Sequence, residues 1–141
     1  FTKRKIKMII CGNGDLLIDV EKLLLNNKYL NYKIFKNLNE DKLSEIYTIS
    51  DTLLLLSKNE PWGMVINEAM IHNLSIIASE EVEAANFYKN RYQKCTIKKL
   101  NFINNHFLKK HLENLSLKKN NLIDPVNAKT VAKEIFDFIN L

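Results

Sequence analysis

Two carboxylates, Glu60 and Glu68, stand with seven residues between them in the stretch Ser57-Lys58-Asn59-Glu60-Pro61-Trp62-Gly63-Met64-Val65-Ile66-Asn67-Glu68-Ala69-Met70. Glu60 lies beside Pro61 in what reads as a turn, and Glu68 lies within an apolar segment that reads as a helix opening near Gly63. Pro61 has no backbone donor, and Gly63 has no side chain to block an approaching group. The first amides of such a helix, those of Gly63, Met64 and Val65, have no intrahelical acceptor and are reinforced by the helix dipole, so they suit an anion. Glu60 in the turn can accept hydrogen bonds from hydroxyls. Glu68, less than two turns into the helix, can accept two from a cis-diol such as ribose. A plainer reading stands beside this one. Glu68 would then be a partly buried carboxylate paired with a lysine, because an isolated buried charge is costly, and Glu60 an ordinary loop acid.

Turn and helix start need a frame, and the flanking residues supply one. Lys7 to Cys11 is a short apolar run that ends at Gly12-Asn13-Gly14, the pattern of a buried strand entering a tight turn. Leu16, Leu17, Val20, Leu23 and Leu24 recur at helical spacing between Asp15 and Asn26-Asn27. Tyr32 to Phe35 reads as a second strand, and a helix starting at Asn39 or Glu40 turns Leu43, Ile46 and Tyr47 inward. Leu53 to Leu56 is uninterrupted apolar, as for a central strand covered on both faces. A helix from about Gly63 to His72 and a strand from Leu74 to Ala78 follow. This alternation predicts an α/β fold, a Rossmann-like parallel sheet with right-handed crossovers and helices on both faces. Asp124-Pro125 precedes a last helix carrying Ala128, Val131, Ala132, Ile135 and Phe138 on one face.

The 141 residues suffice for one domain with a real core, and 46% hydrophobic and 26% charged residues describe a soluble globular chain. No apolar run has the length of a membrane span, and no signal-peptide pattern opens the sequence. Cys11 and Cys95 are too few for a disulfide framework, and no Cys/His spacing suits a metal, so a reducing, cytoplasmic setting is expected. Cys11 reads as a buried small hydrophobe. His72 is four residues beyond Glu68, the spacing of a helix-surface pair, and His106 and His111 read as surface residues. Trp62 either shapes a pocket or packs against the next helix.

Charge is unevenly placed. Residues 89–119 hold nine basic side chains against the single acid Glu113, a net +8 within a total of +5. With Cys95 to Leu100 as a strand and Ile103, Phe107, Leu108, Leu112 and Leu115 lining a helix, residues 90–119 read as a basic insertion. That segment is either a solvated face or a contact with an anionic bilayer or lipid phosphate. Its aromatics show no nucleic-acid stacking motif, so no nucleic-acid partner is expected.

The Glu60 to Met70 stretch resembles the E-x7-E signature of family-4 (group 1) retaining glycosyltransferases, in the form EPWG-x-V-x-NEAM. Met8 to Gly14 resembles that family's strand and Gly-x-Gly turn, and Leu43 to Ser57 the helix and strand leading into the signature. Leu74 to Ser79 resembles the strand after it, and Leu122 to Pro125 the "NG-h-h-x-P" element, so the likeness covers about residues 6–90 and 120–141. The resemblance implies the C-terminal, donor-binding half of a GT-B fold, truncated at its N-terminal end, whose partners are a nucleotide-diphosphate sugar and a missing N-terminal acceptor domain. By resemblance Glu60 is the catalytic carboxylate at the transferred sugar, and Glu68 holds the ribose. The amides of Gly63, Met64 and Val65 would hold the diphosphate, with Gly12, Gly14, Phe35 and Lys36 bordering the nucleotide. The implied reaction retains the anomeric configuration, needs no metal or other cofactor, and builds a surface polysaccharide or lipopolysaccharide at the inner face of the membrane.

Departures from the pattern are specific. Asn37, Asn73 and Asn121 replace family glycines, and Asn is the side chain that best tolerates positive φ. Ser75 stands where the family has Pro, and Glu83 and Phe87 fall near a usual Gly and Asp, with Glu83 adding negative charge near a bound diphosphate. The Arg and Lys that neutralise the diphosphate in the family have no counterpart, because Lys3, Arg4 and Lys5 lie in another context. The chain alone is therefore expected to have little transferase activity. Two other classes remain open: a non-catalytic GT-B-like nucleotide- or partner-binding domain, and a basic membrane-docking α/β module.

Overall fold

A computed structural model describes residues 6–25, 30–103, 107 and 110. The chain divides into two compact units, one up to Thr48 and the other from Ile49. In the first, β1 (Ile6–Cys11) and β2 (Leu30–Phe35) form a parallel pair with Met8 opposite Tyr32 and Cys11 opposite Phe35. α1 (Leu17–Leu25) connects them, and α2 (Glu40–Ile49) follows. Asn39 caps α2, its Oδ1 accepting the Lys42 amide at 3.0 Å, which settles the start that the sequence left between two residues. β1 is half-buried at Met8 to Ile10 rather than fully buried. Cys11 is exposed, contrary to its reading as a buried hydrophobe. It ends the ladder, where Gly12 turns the chain away.

The second unit holds β3 (Thr52–Leu55), β4 (Ser75–Ser79) and β5 (Cys95–Lys98), all parallel, in the order β3-β4-β5. α3 (Met64–Ile71) joins β3 to β4, and α4 (Glu83–Tyr88) joins β4 to β5. Together the units show parallel strands flanked by helices, the α/β, Rossmann-like class that the alternation predicted. The expectation for the central strand is corrected. Among the described residues β3 pairs only with β4 and is half-buried along its length, whereas every residue of β4 is buried. Ile76 and Ile77 point to opposite faces, and both are almost wholly shielded, so the sheet is covered on both sides there.

Strand β5 lies inside the stretch read as an insertion, and it is the third strand of this sheet. Residues 104–106 and 111–141, including His106, His111, Asn121 and the expected last helix, lie outside the described residues. Two side chains from the approach to β5 lock it to the α3–β4 connection. Tyr92, 1% exposed, donates its hydroxyl to the Leu74 carbonyl at 2.5 Å. Lys94 donates to the carbonyl and side-chain oxygen of Asn73, at 3.0 and 2.7 Å. Asn73 has φ 59° and is the sole non-glycine residue with positive φ among those described. The glycine replacement thus keeps its backbone shape at Asn73, but Asn37 has no such φ. Ser75 donates its amide to the Asp51 carbonyl at 3.1 Å, a bond that proline could not make.

Burial pushes the Tyr92 hydroxyl well above the ordinary tyrosine range, with Cys95 adding to the shift, so it stays a neutral donor. Tyr92→Phe removes it and leaves the Leu74 carbonyl without this bond. It should lower stability by about 1–2 kcal/mol in urea unfolding.

Candidate donor-binding site

The turn after β3 is fastened from the side. Glu60 forms an isolated parallel bridge with Val82. The Glu60 carbonyl accepts the Glu83 amide at 3.4 Å, and the Trp62 carbonyl accepts the Ala84 amide at 2.9 Å. Below them, fully buried Ser79 donates its hydroxyl to the Ser57 carbonyl at 2.5 Å. The connection between β4 and α4 therefore holds the one between β3 and α3. Both lie past the carboxyl ends of their parallel strands, where open α/β sheets bind ligands.

Gly63 completes the turn and caps α3 at φ 90° and ψ 67°. A β-carbon there would lie 3.1 Å from Val82 Cγ1, 3.2 Å from Glu60 Cγ and 3.4 Å from Leu55 Cδ2. Conformation and space both demand glycine. The Gly63 carbonyl accepts the Ile66 amide at 2.9 Å, whereas the amides of Gly63, Met64 and Val65 donate to no acceptor among the described residues. Glu60 is half-exposed in the turn, and Glu68 is half-buried a little over one turn into the helix. The structure thus assembles Glu60, Gly63, Met64, Val65 and Glu68 along one turn and the helix it opens.

The other expected residues belong to the first unit. Gly12, at φ 148°, donates its amide to the Phe35 carbonyl at 3.0 Å. This closes the carboxyl ends of β1 and β2 against each other and brings the Gly12-Asn13-Gly14 turn to Phe35 and Lys36. Lys33 Nζ sits 4.8 Å from the centre of the Phe35 ring. Lys36 is exposed and forms no ion pair among the described residues. Among the described residues no cluster of His, Cys, Asp or Glu could hold a metal ion.

Helix α4 stands where the family resemblance implies a loop around Glu83 and Phe87. The available signal was Ala84, Ala85 and Tyr88, which share one helical face and are fully buried. Trp62 packs, as one of its two readings has it, and α4 supplies a ring partner. Its ring centre is 5.8 Å from that of Phe87 at 52°. The Arg91 guanidinium covers Phe87 at 4.3 Å and donates to the Phe87 carbonyl at 3.0 Å. Asn67 was also missed as a core residue. It is 2% exposed, its amide nitrogen 3.7 Å from the Met64 sulfur, and its Oδ1 has no partner among the described residues.

The family model for glycosyl transferases group 1 matches residues 2–121. The chain belongs to that family. A search of curated proteins finds no significant match. In a group 1 glycosyltransferase domain the bound partner is a nucleotide sugar, and the turn-and-helix start described above has the chemistry for one. Among the described residues no helix is long and apolar enough to cross a membrane.

Two outcomes follow from this geometry. Gly63→Ala should destabilise the glycosyltransferase domain by about 1–3 kcal/mol, through a positive φ and three crowded contacts, as a lower denaturant midpoint. Burial raises the Cys95 thiol to about 11, so at pH 8 only about one molecule in a thousand carries the thiolate. Mass-resolved alkylation at that pH should label exposed Cys11 well before Cys95.

Proposed function

We propose that this domain binds the donor of a retaining glycosyltransferase. In this reading the amides of Gly63, Met64 and Val65 hold the diphosphate of a nucleotide sugar, Glu68 accepts the ribose hydroxyls, and Glu60 faces the transferred sugar. The observation that carries it is the left-handed Gly63 wedged among Leu55, Glu60 and Val82, at a helix start whose first three amides have no acceptor among the described residues and lie between two carboxylates. Transfer proceeds with retention and without a metal, the departing phosphate helping to take the acceptor proton. The acceptor is a glycan or a lipid-linked glycan of a surface polysaccharide or lipopolysaccharide. It is held by a separate acceptor-binding half, on the cytoplasmic side of the membrane.

A second reading, nucleotide binding without transfer, draws on Glu83. Its amide lies 3.4 Å from the Glu60 carbonyl, and it places one more carboxylate in the first turn of α4, beside the turn that would hold the phosphates.

Calorimetric titration with UDP and GDP in EDTA separates these readings from the rest. One of the two nucleotides should bind, and Glu68→Ala should weaken binding roughly tenfold by removing hydrogen bonds to a charged acceptor. Binding of neither nucleotide by the natural polypeptide would sink both readings. Binding without donor turnover, even with acceptor supplied, would leave only the second.

A further inference from the structure

The basic residues of the third strand's neighbourhood do not all have the same employment. Arg91 is stacked on Phe87, and Lys94 is tied to Asn73. Lys98 makes no ion pair among the described residues. Lys99 stands 3.9 Å from Glu80, with both side chains substantially exposed, a pair too long and too wet to hold either group firmly. These two lysines line an open groove of about 470 Å³ with Glu80, Ile97, Phe102 and Phe107. The groove lies where β4 and β5 end, and the short 3₁₀ turn Leu100–Phe102 forms part of its wall. Phe102 remains 61% exposed.

We propose that this groove seats the phosphate headgroup of an anionic phospholipid, and that the chain docks on an anionic bilayer through it. Charge complementarity selects the occupant. The two ammonium groups face a single loosely held carboxylate, in a segment whose net charge is +8. The apolar residues then select a lipid over a free phosphate. A soluble phosphate has no use for an exposed Phe102 or for Phe107 and Ile97, whereas a phospholipid carries its phosphate next to acyl carbon. Aromatic and basic side chains side by side also suit the headgroup boundary of a bilayer. Lys99 exchanges the Glu80 carboxylate for the lipid phosphate.

Sedimentation of the whole chain with vesicles tests this. Vesicles of phosphatidylcholine with one-third phosphatidylglycerol should carry the chain down, those of phosphatidylcholine alone should not, and raising the salt should release it. Lys98→Glu with Lys99→Glu should weaken partitioning about tenfold or more, and Phe102→Ser about threefold. The control pair Lys22→Glu with Lys42→Glu, which makes the same change in net charge, should have much less effect. Absence of binding, equal binding to neutral vesicles, or an equal loss in the control pair would overturn the proposal. So would full displacement by millimolar glycerol 3-phosphate, which would make the groove a seat for a free phosphate. Nucleotide titration of the same variants reads the donor site separately, so failure at either site is distinguishable.

Discussion

The bridge between Glu60 and Val82 is the contact on which the rest of the site depends. Strand β3 is four residues long and has a neighbour on one side only among the described residues, so it cannot by itself fix the turn that follows. The connection after β4 does so, through the bridge and through bonds from Ser79, Glu83 and Ala84. Each such bond contributes only about 1 kcal/mol net, but together they leave the Glu60 backbone little freedom. Gly63 then fits against Val82 because it has no side chain. A carboxylate, a cap and the first amides of α3 share one support, and that support belongs to a different loop.

This explains what could and could not be read from the sequence. The Glu60 to Glu68 spacing, the helix between Gly63 and His72 and the strand at Leu74 were legible because each is local, set by apolar spacing or by turn residues. The covered strand was misjudged because Leu53 to Leu56 and Ser75 to Ser79 differ in composition in the wrong direction. The strand with serines at both ends is the buried one, and its serine hydroxyl at position 79 is satisfied by a carbonyl twenty-two residues away. Nothing in a local window announces such a partner. Tyr88 and Tyr92 were hidden for a similar reason, since they fall in a stretch dominated by lysine and asparagine yet are fully shielded.

Departures from the family pattern divide along the same line. At Asn73 the missing glycine is compensated, because asparagine adopts the left-handed conformation and gains Lys94 as a partner. At Ser75 the lost proline is replaced by a backbone bond to Asp51. Those changes preserve the frame of the glycosyltransferase domain. Glu83 differs in kind, because it alters charge next to the turn instead of the path of the chain.

The complete burial of β4 has a consequence for how the domain moves. Its amides sit between two partner strands and beneath both faces, so they should be among the slowest to exchange with solvent and to open only when the unit opens as a whole. The turn carrying Glu60 hangs from the end of that same strand through Ser79. It inherits the rigidity of the most slowly opening element in its sheet, while its other face stays open to water. Such a turn can keep its backbone path while the solvent-facing side chains around it move, without the sheet beneath it opening.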